Sequence, residues 1–179
     1  DYAYRAILGR EADAGGKAYW LSELQAGCTR KYVLSGFVNS VEFTNLCKSY
    51  GVVKGDLSGL LAPADKNGGQ TKFVVRLYRN IFNREADEGG LNHWTLKLQS
   101  GTTASEIIKG FVYSTEFANA KFSNEDYVEI MYKTLLGRAS DAAGKADWVN
   151  RLNQGQSRND ILRGFVYSPE FAKMCAEYG

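Results

Sequence analysis

The residues best suited to chemistry recur in a fixed frame. Arg10 and Asp13 stand three residues apart, with Trp20 seven further on; Arg84, Asp87 and Trp94 repeat that spacing, as do Arg138, Asp141 and Trp148. A guanidinium and a carboxylate beside an indole can hydrogen-bond sugar hydroxyls while the ring stacks on the sugar. These residues are therefore the candidate binding set for a cell-surface or matrix glycan. The same types also have a structural reading. An Asp just before a helix accepts from free backbone N–H groups and sits at the positive helix end; Arg then braces the turn and Trp fills a core. Glu42, Glu116 and Glu170 fit that second reading, as first-turn acids or as alternative partners for the Arg.

Other chemistry finds little support. Glycoside hydrolysis needs two carboxylates several ångströms apart, one with a raised pKa, and no such pair is singled out; Glu85 and Glu88 read as solvated helix ends. His93 is the only histidine, and its equivalents in the frame are Tyr19 and Asp147. It makes neither a zinc site nor a triad. Asp-x-x-Gly is too short for an EF-hand loop, which needs oxygen ligands at alternate positions, and Asp65-Lys66-Asn67 is a weaker echo. The expectation is a protein without metal, cofactor or catalytic activity. A net charge of +2, with no Lys/Arg run, argues against nucleic acid. No apolar stretch approaches the ~20 residues of a membrane span. No signal peptide is visible, but the chain opens in mid-frame, so its natural start is expected upstream.

The elements that must position these residues follow from the frame. It runs without a gap from Tyr4 to Phe43, from Tyr78 to Phe117 and from Tyr132 to Phe171. Hydrophobic content of 44 % and aromatic content of 13 % are those of a folded chain. Phe73, Val74, Leu77, Tyr78, Ile81 and Phe82, at offsets of three and four, predict an amphipathic first helix; Tyr127 to Leu136 repeat the pattern. The first copy keeps only Tyr4, Ile7 and Leu8 of it. A second helix starts after Asp13, Asp87 or Asp141 and ends at Gly27, Gly101 or Gly155. A third starts at Thr29, Thr103 or Ser157, with Glu106 and Asp160 completing capping boxes in two copies. Gly36, Gly110 and Gly164 lie inside it, at about 1 kcal/mol each against Ala, which suggests that another backbone passes close by. A fourth starts at Ser40, Ser114 or Ser168, with Pro169 at a first helical position. The predicted fold is all-α: tandem four-helix repeat units in three copies, the first truncated at its N-terminus. The three Trp side chains are expected to be buried at equivalent places.

The expected division is residues 1–51 as the first unit, 52–70 as a Gly-rich linker, and 71–179 as a body made of copies two and three. The tail Leu46-Cys47-Lys48-Ser49-Tyr50 matches Met174-Cys175-Ala176-Glu177-Tyr178, so copy one is closer in kind to copy three. Cys28, Cys47 and Cys175 are an odd number. Cys28 and Cys47 bracket the third helix of copy one, either as a disulfide worth about 3 kcal/mol or as two small buried thiols; Cys175 is left over in both cases.

The Leu-Gly-Arg-x-x-Asp-x-x-Gly-x-x-x-Trp turn, together with Gly-Phe-x-x-Ser-x-Glu-Phe, resembles the bacterial family of domains of unknown function numbered 4214. The resemblance covers all three copies and most of the chain. That family occurs in tandem in large secreted or surface proteins, including S-layer-like and calcium-repeat proteins, and no activity is assigned to it. The resemblance implies an extracellular or cell-surface module with neighbouring domains. Two functions are then in view: a carbohydrate-binding module, and a structural module that spaces or assembles other domains. Tyr19, Tyr32 and Tyr113, outside the frame, are the aromatics expected to face out if sugar is the ligand.

Overall fold

The structure, a computed structural model, describes residues 1–178. It is all-α, with no strand among the described residues. Each copy opens on a helix that leads to the signature turn. In copy two this is α5 (Gly68–Phe82). In copy three it is α9 (Asn124–Met131), which runs into a π-helical turn at Tyr132–Leu136, and copy one has the matching π turn at Tyr4–Leu8. That shared turn, absent from α5, sets copies one and three apart from copy two. The second helices are α1 (Ala14–Gln25), α6 (Glu88–Gln99) and α10 (Ala142–Asn153); the third are α2 (Arg30–Val38), α7 (Ala104–Val112) and α11 (Arg158–Val166). The fourth are α3 (Val41–Ser49), α8 (Thr115–Ala120) and α12 (Pro169–Ala176).

Capping explains the boundaries. Ser40, Ser114 and Ser168 accept from the amides of Phe43, Phe117 and Phe171 at 3.0, 3.1 and 3.1 Å. Thr103 and Glu106 form the full reciprocal box, Glu106 accepting from the Thr103 amide at 2.9 Å. Asp160 does something different, accepting from the Ser157 hydroxyl at 2.6 Å. Gly27, Gly101 and Gly155 follow the second helices with φ of 105°, 90° and 93°, the left-handed region that glycine enters at least cost.

One apolar core runs through copies two and three, from Phe73 and Val74 through Ile108 and Phe111 to Met131, Leu162 and Phe171. Copy one has its own small cluster of Tyr4, Val33 and Phe37, against which Trp20 and Ile7 pack. Between copies two and three, Arg76 donates to the carbonyls of Thr134 (3.1 Å) and Lys133 (2.6 Å), and Asn80 to Lys133 (3.2 Å). Those carbonyls belong to the last turn of a helix, where no onward partner exists. Arg79 does the same for copy one, donating to the carbonyl of Gln25 at 3.0 Å, at the end of α1.

The stretch expected as a linker divides in two. Residues 52–62 form a loop with a 3₁₀ turn at Ser58–Leu60. Residues 63–70 hold α4 (Pro63–Lys66) and the first turn of α5, separated by extended Asn67, so α5 starts before the expected boundary. Asp65 is buried, accepting from the Thr29 hydroxyl at 2.5 Å and the Ala62 amide at 2.9 Å. Asn92 accepts from the Ala64 amide at 3.1 Å, and Gln99 donates to the Pro63 carbonyl at 2.8 Å. Copy one is thus fastened to copy two through α4. A second fastening is the ion pair of Lys72 with buried Glu23, at 2.9 Å.

Candidate functional site

The Arg-Asp-Trp sets come together in each copy, around a fourth member. Arg10 lies 2.5 and 2.9 Å from the two oxygens of Glu42; Arg84 lies 2.8 and 2.9 Å from those of Glu116; Arg138 lies 2.8 and 3.1 Å from those of Glu170. This is the two-pronged geometry in which a guanidinium fork meets a carboxylate. The Arg–Asp distances are longer, at 3.5, 3.6 and 3.6 Å. The pairing expected from the three-residue spacing is therefore the minor one, and the Glu at the start of the fourth helix is the main partner. Each guanidinium also lies over a tyrosine ring, at 5.0 Å for Tyr4, 4.7 Å for Tyr78 and 5.0 Å for Tyr132.

The aspartates cap. Asp13, Asp87 and Asp141 accept from the amides of Gly16, Gly90 and Gly144, each at 2.8 Å. Those backbone bonds, more than the Arg, hold the three carboxyls below the usual aspartate range. Hydrogen bonding from the Arg does the same for Glu42, Glu116 and Glu170, and raises the guanidinium pKa in return. The capping glycines have a second task. A Cβ on Gly16, Gly90 or Gly144 would overlap the hydroxyl of Tyr4, Tyr78 or Tyr132.

The tryptophans are half-buried rather than buried. Each packs on the Phe of the third helix, with ring centroids 5.4 Å apart for Trp20–Phe37, 5.1 Å for Trp94–Phe111 and 5.2 Å for Trp148–Phe165. The rim of each indole lies over Gly36, Gly110 or Gly164, where a Cβ would overlap Cη2. The mid-helix glycines thus make room for an indole, not for another backbone.

The chain matches the model described as "Domain of unknown function (DUF4214)" over residues 1–47, 64–122 and 118–175. The chain belongs to the DUF4214 family. No curated protein and no solved structure matches it. The Arg-Glu-Asp-Tyr-Trp-Gly constellation of each copy falls inside one of the three matched segments. Residues 48–63 fall between matches, and Thr29 and Lys72 inside the matches bind partners, Asp65 and Glu23, that the frame does not repeat. No spacing in the repeated frame marks that joint, because both contacts form only in the folded chain.

The cysteines are all thiols, so the disulfide drawn between Cys28 and Cys47 is not present. Cys28 turns instead toward the joint, donating to Glu23 Oε2 at 3.4 Å and to the Gly68 carbonyl at 3.7 Å. Burial first, and the Glu23 carboxylate second, push the Cys28 thiol up to about 12. Cys47 is buried in α3 and Cys175 is half-buried in α12. Of the aromatics expected to face out, Tyr19 and Tyr113 are exposed. Tyr32 instead lies against Gly68, where a Cβ would come within 2.6 Å of its ring. Tyr113 donates to Asn159 at 3.0 Å.

Proposed function

We propose that this chain is a non-catalytic assembly or spacing module of a bacterial secreted or surface protein, built of three four-helix units. One observation carries the reading. In each copy the repeated polar cluster is spent internally: Glu takes both prongs of the Arg, Tyr takes its face, the Asp takes a backbone amide, and the Trp rim fills the space over a glycine. A guanidinium so engaged has little left to offer a sugar hydroxyl, and the constellation reads as a clamp that fixes helix directions. Neighbouring domains of a larger protein are its partners in this reading.

The alternative is carbohydrate binding, for which exposed Tyr19 and Tyr113 are the supporting feature. A glycan array on the wild-type chain, Arg84→Ala and Tyr113→Ala separates the two. The module reading expects no saturable retention by any of them, with Arg84→Ala melting earlier. Saturable glycan binding that Arg84→Ala or Tyr113→Ala abolishes, while the variant's helical circular dichroism is unchanged, overturns it.

A further inference from the structure

A cavity of about 230 Å³ lies between copies two and three, where the start of α5 meets the corner between α6 and α7. Phe73, Leu98, Ala104 and Tyr178 give it apolar and aromatic walls, with Gln70 and the Cys175 thiol between them. The Tyr178 ring meets Phe73 edge-on, with centroids 5.7 Å apart. That wall is firmly seated, because a Cβ on Gly69 would overlap the Tyr178 carbonyl oxygen. No charged side chain lines the cavity among the described residues. Burial pushes the Cys175 thiol up, so that group too is neutral at ordinary pH.

Copy three closes the corresponding place from within. Asn124, Tyr127 and Arg158 stand there where copy two has Gln70, Phe73 and Ala104. The Arg158 guanidinium lies 4.8 Å over the Tyr127 ring and donates to the Phe122 carbonyl at 2.5 Å. The Tyr127 hydroxyl donates back to the Arg158 carbonyl at 2.8 Å, and Asn124 donates to Asn153 at 2.8 Å. Copy two has none of these closures, since Ala104 carries no guanidinium and Phe73 no hydroxyl. Gln70 Oε1 is left buried without a hydrogen-bond partner, a state that folded proteins seldom tolerate.

The lining selects the chemistry of an occupant. An ion would shed its water for no counter-charge, whereas a flat ring packs well against Phe73 and Tyr178. The volume exceeds the roughly 150 Å³ that accepts a benzene molecule. One donor on the edge of the ring would supply what Gln70 lacks. Gln70 is itself only half-buried, so its side chain can turn the oxygen toward that edge.

We propose that this cavity is a binding site for a small neutral ring bearing one hydroxyl, a phenol, whose ring lies against Phe73 and whose O–H donates to Gln70 Oε1. The site is separate from the repeated Arg-Glu clamps, and it stands or falls independently of the module reading.

The test titrates the isotope-labelled full chain with phenol and with toluene, its isostere without a donor, following backbone amide shifts by NMR. Phenol should saturate with a dissociation constant on the order of 1 mM, an ordinary value for a seven-atom ligand. The shifts should centre on Gln70, Phe73 and Ala104. Gln70→Met should weaken phenol about fivefold and leave toluene unchanged. Ala104→Arg, which places in copy two the side chain that copy three carries, should abolish binding of both while the helical circular dichroism stays the same. Ala104→Leu fills the same space without a charge and should do likewise. Competition of N-acetyltyrosinamide with phenol would support a tyrosine side chain as the occupant, and its exclusion would support a free phenol. Phenol shifts that do not saturate, or binding that survives both Ala104 variants, would overturn the site. Equal weakening of phenol and toluene by Gln70→Met would overturn the role of the hydroxyl.

Discussion

Replacing Gly110 by alanine tests the indole-over-glycine contact by its sign. In an open helix interior the change stabilises by about 1 kcal/mol, because glycine has more backbone freedom to lose. Here the new Cβ would overlap Trp94 Cη2 and come within 2.9 Å of Cζ3. The ring has little room to retreat, with Phe111 at 5.1 Å and Lys97 at 6.0 Å from it. Overpacking of this kind costs about 1–3 kcal/mol, so the net effect is a loss of about 1 kcal/mol, or roughly 2–4 °C in melting temperature. In a Trp94→Leu background the obstruction is gone and Gly110→Ala should stabilise by about 1 kcal/mol. The cycle, read by urea unfolding with far-ultraviolet circular dichroism, should give a coupling of about 1–3 kcal/mol. Stabilisation of the wild-type chain by Gly110→Ala, or a coupling near zero, would refute the reasoning.

Three further outcomes follow from other parts of the molecule. The capping Asp and clamping Glu carboxyls are lowered on folding. Their contribution is therefore full above the unfolded values of 3.8 and 4.5 and is lost as pH falls through the lower folded values. The urea midpoint should drop on that acid limb, and Asp87→Asn with Glu116→Gln should make the drop shallower, the equivalent carboxyls of copies one and three still contributing; an unchanged slope would remove the linkage. Cys28 and Cys47 should resist a thiol reagent at pH 8 in the native chain, with no mass change on reduction, and a two-dalton gain on reduction would reinstate the disulfide. Lys72→Met leaves buried Glu23 without its cation, which costs about 1–3 kcal/mol. It should also speed proteolytic cutting within 52–61, the exposed loop between the copies, while Glu23→Leu/Lys72→Met should recover much of the loss. Unchanged cutting by Lys72→Met would show that the pair does not hold copy one in place.

The periodic parts of this molecule were readable from residue types because they are decided locally. Asp87, Thr103 and Ser114 each satisfy an amide three residues away, so a cap can be recognised without knowing what the helix packs on. Gly110 was identifiable as a point of close approach, but its visitor is a ring sixteen positions earlier, and spacing alone does not tell a ring from a backbone. The Arg84–Glu116 clamp closes over 32 residues; the nearer Asp87 was the natural first partner on sequence, and only the folded path shows which acid arrives face on. Helix α4 leaves no mark in the sequence for a different reason. Four residues carry no periodicity, and its stability is tertiary, from Asp65 on Thr29, Asn92 on Ala64 and Gln99 on Pro63. Composition reads such a segment as a linker.

The clamp also sets how the chain would yield to tension. Each Arg–Glu pair ties the end of an opening helix to the start of a fourth helix and closes a loop of 32 residues. While the pair and the core beneath it hold, the slack inside the loop is hidden from a force applied to the ends. Once they give, 32 residues can extend to about 110 Å. A chain of such repeats pulled from both ends would lengthen in discrete steps of similar size, each absorbing work before the next repeat opens. Copy one, with the smaller core cluster, would be the first to go.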